Sequence, residues 1–221
     1  MTGGNTPLTS RGWSRVRLGC AGASVAVFAL AVIVIGWLTP GYDQCSDPVS
    51  RLASPGEPWA LEARVAFAAY GLLVVAGAGA APRRYAGHHG HKLALCLTLY
   101  GVACVVAGVA PKDQPGTAHT AVSQLHVTAA VLAGALAIGA MALVSRCSPI
   151  QATRRAAAAM ALLTGLAAGI LKCTWGTQVY GMSERVLLGL GMCWISAIST
   201  RALMASTPDA MPTEVRADAL N

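Results

Sequence analysis

Charge is what this sequence has least of. Only 11% of its 221 residues are Asp, Glu, Lys or Arg, well below the quarter or so usual in soluble domains, and 55% are hydrophobic. Such a chain cannot clothe a water-facing surface, so an ordinary soluble domain is excluded and a membrane protein is expected. Aromatic side chains are scarce too, at 5%. No CxxC pair occurs, which argues against thiol-exchange chemistry. A glycine-rich phosphate loop, a Ser nucleophile elbow and a nucleotide-binding fingerprint are likewise missing, as are an ATPase domain and an obvious inverted repeat. These absences weigh against a nucleotide-driven pump and a standalone secondary transporter.

What remains is long apolar sequence. Six segments, at 17–37, 60–81, 91–110, 121–144, 156–173 and 186–204, each approach the length that spans a hydrocarbon core as helix. The expected fold is therefore all-α, a polytopic membrane protein with a single six-helix bundle over 17–204. Polar, Pro-containing tails flank it at 1–16 and 205–221 and are expected to be flexible and cytoplasmic. Small residues recur inside the segments, including Gly71, Gly77, Gly79, Ala135, Gly139, Gly189 and Gly191, and such residues let helix backbones approach closely.

The net charge of +7 reports topology. Eleven basic residues, from Arg11, Arg15 and Arg17 through Arg83, Arg84, Lys92, Arg146, Arg154 and Arg155 to Arg201 and Arg216, fall on one side of the bundle. Five, namely Arg51, Arg64, Lys112, Lys172 and Arg185, fall on the other, mixed with six acids. The rule that basic loops stay inside puts both termini in the cytoplasm of a bacterial plasma membrane. No nucleic-acid-binding module accompanies the basic residues, so nucleic acid is not expected as a partner. Trp37, Trp59, Trp175 and Tyr180 near the outer boundary, with Trp13 and Tyr85 near the inner one, form the usual aromatic belt. Most of the seven cysteines lie in predicted helices and read as small apolar side chains; whether Cys45 pairs with Cys173 is open.

Polar residues converge on the outer side. The long loop at 38–59 carries Tyr42, Asp43, Asp47, Ser50 and Arg51, a set able to order it over the helix ends or to meet a ligand. Glu62 and Arg64 begin the second helix, and either pair with one another or leave Glu62 facing an apolar chamber as a proton donor. Asp43 and Asp47 either share a proton or are solvated. In HTAVSQLH (119–126), His119, Ser123 and His126 share one helical face, but a rise of about 1.5 Å per residue separates the two imidazoles by about 10 Å. One metal ion does not easily bind both, and neither metal nor cofactor is expected. His119 is placed at a wet rim. His126 lies inside the bundle, bonded to Tyr100 or Thr98 or handling a proton beside a substrate. Tyr70, Tyr100, Trp175 and Trp194 are candidates to line a cavity, or, for Trp194, to pack the core. The cluster YAGHHGHK (85–92) reads as a solvated connector.

PGYDQCSDPVSRLASPG (40–56), with Tyr42, Asp47, Pro48, Val49, Ser50 and Leu52, resembles the loop pattern of the DUF998 family of multi-spanning membrane proteins. Phe67, Gly71, Pro111, Asp113, His126, Glu184, Arg185 and Trp194 extend the resemblance over most of the six-helix region, while Arg51 and Arg64 depart from it, standing where an acid and an Asn are expected. That family is similar to the Frag1/DRAM/Sfk1 group, which implies a lipid-associated role, and small integral membrane terpene cyclases are a more distant functional likeness.

Two functions follow as expectations. In the first, the protein is an enzyme acting on a lipid-like or isoprenoid substrate, a metal-independent terpene cyclase in its sharpest form. Glu62 or Asp47 supplies the proton, His126 orients or deprotonates, and Tyr42, Asp43, Ser50, Arg51, Arg64, Tyr70, Tyr100, His119, Trp175, Arg185 and Trp194 bind substrate. In the second, it is a nonenzymatic lipid-binding or membrane-organisation protein in which Arg51, Arg64, Lys172 and Arg185 hold an anionic headgroup. A transporter subunit is a third, weaker reading.

Overall fold

The computed structural model describes residues 10–79, 88–114, 117 and 120–204. Six long helices account for most of them: α1 Ser10–Leu38, α2 Ala60–Ala78, α3 His88–Val109, α4 Ala121–Cys147, α5 Gln151–Cys173 and α6 Tyr180–Met204. One 3-10 turn, Val49–Ala53, interrupts the loop between α1 and α2. The helices pack in chain order, each against its predecessor and successor, and α6 closes the ring against α1. Five stretches, Gly19–Leu38, Ala60–Ala78, His89–Val109, Ala121–Cys147 and Gln151–Cys173, are long and apolar enough to cross a membrane. In lipid every backbone amide and carbonyl has to be bonded internally, which a helix does within its own segment. The protein is thus an all-α polytopic membrane protein.

Helices begin earlier than expected at several ends: α5 at Gln151 rather than 156, α6 at Tyr180 rather than 186, and two more at inner ends that carry polar residues. α1 starts at Ser10 rather than 17, so the arginine-bearing stretch continues the helix instead of belonging to a tail. α3 starts at His88, so HHGHK is its first turn rather than a connector. In both places polar residues leave the apolar pattern but do not break a helix: no proline follows to block the bonding. The remaining tail residues, 1–9 and 205–221, and His119, Arg83, Arg84 and Tyr85 lie outside the described residues.

The centre of the ring is filled by Phe28 from α1, Tyr70 and Val74 from α2, Leu93, Leu97 and Tyr100 from α3, Met141 and Val144 from α4, and Trp194 and Ile195 from α6. Phe28 stands edge-on to Phe67 at 4.9 Å between ring centres and lies 5.1 Å from Tyr70. The Tyr70 and Tyr100 hydroxyls meet at 2.8 Å, one donating to the other in the dry interior. Tyr100 therefore spends its hydroxyl on Tyr70 and not on His126, and Trp194, 5% exposed, is core.

The tightest crossing is between α2 and α3. A Cβ on Gly101 would sit 2.6 Å from the Gly71 carbonyl oxygen and 2.7 Å from a Val75 methyl, too close for any real side chain. Lipid offers no hydrophobic drive between helices, so such backbone approach supplies the van der Waals contact that association needs. By contrast, Gly165 and Gly169 on α5 have open space where a Cβ would stand. We expect Gly101→Val to destabilise the bundle by about 1–3 kcal/mol, the usual range for overpacking, and Gly165→Val to leave it nearly unchanged. Thermal unfolding of the detergent-solubilised protein checks the pair, and equal effects at the two sites would contradict the packing described.

Candidate functional site

The connection 39–59 meets the residues after α3 and the start of α6 at one end of the bundle: Gln114 donates to the Pro55 carbonyl at 2.7 Å, and the Met182 amide to the Cys45 carbonyl at 2.8 Å. This connection builds itself from its acids. Asp43 accepts the Cys45 amide at 2.8 Å, an Asx turn, and Asp47 accepts the Asp43 amide at 2.8 Å. The Arg51 guanidinium spans Asp47 and, at 3.1 Å, Glu57. That bonding, to Asp47 above all, raises the Arg51 pKa further. Below the polar layer Val49, Leu52 and Ala53 are buried, Leu52 and Ala53 against Ile35 and Ala63. Alternation of polar bonding above and apolar burial below is what gives this Pro- and Gly-containing loop one path.

α6 then locks onto that path. The Val49 amide donates to the Glu184 carboxylate. Arg185 donates to the Asp47 carbonyl at 2.9 Å and to the Tyr42 hydroxyl, and the Tyr42 hydroxyl lies 3.2 Å from the Pro48 carbonyl that accepts from it. Guanidinium carbons of Arg51 and Arg185 stand 5.8 and 5.5 Å from the Tyr42 ring centre, within cation–π range. Burial pushes the Tyr42 phenol up to about 12, with Arg185 opposing the shift. Gly181 makes the approach possible, since a Cβ there would collide with the Asp47 carbonyl.

The third face of this end is made by α2, α3 and α4. An α-helix leaves its last carbonyls unpaired, and here neighbouring helices supply the donors. Arg64 donates to the Val109 carbonyl at 3.1 Å and the Gly108 carbonyl at 3.4 Å. His126 Nδ1 donates to the carbonyls of Ala107 and Ala110, both at 2.8 Å. Asp113 accepts the Thr120 amide at 2.7 Å and the Thr120 hydroxyl at 2.9 Å, and Thr120 caps α4 by accepting the Ser123 amide at 3.2 Å. Lys112 lies over Trp175, its Nζ 5.4 Å from the ring centre, and Trp175 meets Tyr180 edge-on at 5.0 Å. Burial pulls the Lys112 ammonium below its ordinary pKa, and Glu184 partly restores it.

The expected site residues are thus distributed among separate tasks. Tyr42, Asp43, Asp47, Arg51 and Arg185 do come together, as one network around the loop, and Ser50 is buried within its 3-10 turn. Glu62 is exposed on the first turn of α2, and its expected partner Arg64 turns instead to the end of α3. His126 is bonded to α3 backbone, not to Tyr100 or Thr98. Tyr70, Tyr100 and Trp194 belong to the core, and Trp175 is 63% exposed. Asp43 and Asp47 bind amides rather than a common proton. Cys45 and Cys173 are both free. Among the described residues, no three His, Cys, Asp or Glu side chains are grouped to hold a metal ion. Sequence reasoning does not single out Glu184 and Glu57 as the acceptors that fix the loop; the signal for Glu184 is its place beside Arg185 at a helix start.

The apolar helices and their bonded polar end define a polytopic α-helical membrane protein whose surface contacts bilayer lipids. Residues 22–201 match the family described as "Protein of unknown function (DUF998)", and the chain belongs to that family. Neither the curated proteins nor the solved structures contain a match to it.

Glu184→Gln retains a carbonyl oxygen for the Val49 amide, whereas Glu184→Leu leaves that amide unpaired, at a cost of about 1–3 kcal/mol. We therefore expect limited proteolysis within 39–59 to be faster in Glu184→Leu than in Glu184→Gln. Equal cleavage of the two variants would show that the bond does not hold the loop.

Proposed function

We propose that this protein is a nonenzymatic lipid-binding or membrane-organisation protein whose polar end holds an anionic lipid headgroup. One observation carries the reading. Five of the six acids at that end are committed to the protein itself, Asp43 to an amide, Asp47 to an amide and Arg51, Glu57 to Arg51, Asp113 to Thr120 and Glu184 to an amide, while Glu62 is exposed on α2. The cations are not equally committed. Among the described Lys and Arg side chains, carboxylate ion pairs within 4.0 Å engage Arg51; Arg64 and Arg185 donate to backbone carbonyls, and Lys112 and Lys172 have no carboxylate within that distance. Basic groups placed near a membrane surface attract anionic lipid by about 1 kcal/mol each.

The alternative, acid–base chemistry on an isoprenoid, asks Glu62, Asp47 and His126 to address one substrate. Its support is weaker, because Asp47 and His126 have other partners and Glu62 is exposed on the outside of α2. We further infer six crossings with both termini cytoplasmic, which places the polar end on the outer face. The support is the distribution of basic residues and the alternation of short connections.

Native mass spectrometry of the detergent-extracted protein tests the proposal. Anionic lipid is expected to be retained over zwitterionic lipid, and combined neutralisation of Arg64, Lys112, Lys172 and Arg185 is expected to lower retention by tenfold or more. Retention indifferent to headgroup charge would sink it. So would turnover of a native isoprenoid that Asp47→Asn or Glu62→Gln abolishes, which would instead establish the enzyme.

A further inference from the structure

Resting on the headgroup reading above, we propose that Lys112 is the phosphate anchor of the polar end, taking the phosphate oxyanion of a lipid whose glycerol region lies against Trp175. Several independent features of the junction between the α3–α4 loop, α5 and α6 meet at this residue. Lys112 is partly buried, so its ammonium has lost part of its hydration. A cation in that position ordinarily takes a carboxylate partner, yet none lies within 4.0 Å of Lys112 among the described residues. Of the nearby acids, Asp113 accepts both the amide and the hydroxyl of Thr120, and Glu184 accepts the Val49 amide while its charge also reaches Lys112 from beyond ion-pair distance.

The ammonium instead faces a π surface, 5.4 Å from the centre of the Trp175 ring. A ring face compensates a cation only in part, by about 0.5–2 kcal/mol, and it leaves N–H donors for an oxyanion. Trp175 in turn is held edge-on by Tyr180 at 5.0 Å while remaining 63% exposed. An indole so placed has one face on the cation and surface left open for a lipid, and Trp and Tyr favour the headgroup depth of a bilayer. The remaining cations fit this role less well. Arg64 and Arg185 direct donors to backbone carbonyls, Arg51 to two carboxylates, and Lys172 is exposed on α5. A lysine is a point charge and asks for no fixed acceptor geometry, which suits one phosphate group rather than a planar carboxylate pair.

The test is calorimetric titration of the full-length protein in zwitterionic detergent with short-chain phosphatidic acid, short-chain phosphatidylcholine and inorganic phosphate, alongside Trp emission. Phosphatidic acid is expected to bind more tightly than either control and to shift the emission, and Trp175→Phe is expected to remove the shift. Lys112→Gln is expected to weaken phosphatidic acid by roughly fivefold or more, the equivalent of one charge near the surface. Lys112→Arg is expected to retain it, and Lys172→Gln to weaken it less. Unchanged thermal unfolding of Lys112→Gln separates a lost contact from a lost fold. If wild type still prefers anionic lipid and Lys112→Gln binds as wild type does, the anchor assignment is overturned while the headgroup reading stands. If inorganic phosphate binds as tightly as the lipid, the site serves free phosphate and the lipid assignment is overturned. Absence of any anionic preference in wild type overturns the headgroup reading and this inference together.

Discussion

The bond from the Val49 amide to the Glu184 carboxylate is the constraint on which the polar end depends. It joins the first long connection to the last helix across 135 positions of sequence, and both partners are at strategic points: Val49 opens the 3-10 turn, Glu184 lies in the first turns of α6. Partial burial of a carboxylate costs free energy, offset here by a charge-assisted bond and by the nearby charges of Lys112 and Arg185. Once the turn is fixed, Leu52 and Ala53 are held against Ile35 and Ala63, and Tyr42 is held between two guanidiniums. Ring closure of α6 on α1 is thereby reinforced at its loop end by bonds that do not involve α1 itself.

A bilayer changes which interactions can do this. Apolar side chains gain nothing by leaving lipid for one another, so cohesion has to come from close packing and from polar bonds that lipid cannot replace. The protein uses both, at different depths. Gly71 and Gly101 bring α2 and α3 into backbone contact near the middle, Tyr70 and Tyr100 bond beside them, and Arg64 and His126 close the carbonyl end of α3. Leu162, Leu166 and Ile170 on α5 are left exposed without penalty, because hydrocarbon and not water surrounds them.

Much of the fold was legible because hydropathy measures the solvent directly: six apolar segments became six helices, and the boundaries differed at helix starts such as Ser10, His88 and Tyr180, where polar residues extend helices beyond the hydrocarbon-length pattern. The convergence of Tyr42, Asp47, Arg51 and Arg185 was legible as well, since all stand at helix ends or in loops of the same side. Pairing was not. Arg64 is two residues from Glu62, but on a helix that spacing does not put the two on one face, and its guanidinium reaches α3 instead. His126 invited a side-chain partner, yet the strongest demand near it came from the unpaired carbonyls of Ala107 and Ala110, which a one-dimensional pattern does not display.

The same bonding narrows what the polar end can do. A general acid has to carry a proton to its substrate; Asp47 instead receives an amide N–H and a guanidinium N–H on one oxygen, and protonating that carboxylate would weaken the bonds that order the turn. His126 is fixed in orientation by its Nδ1 proton, which serves the carbonyls of Ala107 and Ala110 at the end of α3. A carboxylate that holds the scaffold in one bonding state, as Asp47 does, is poorly placed to change state during a reaction. The cations are different: Lys112 and Lys172 can gain or lose an anionic partner with every carboxylate bond of the loop intact. Reversible headgroup binding, as proposed above, would leave those bonds of the loop in place.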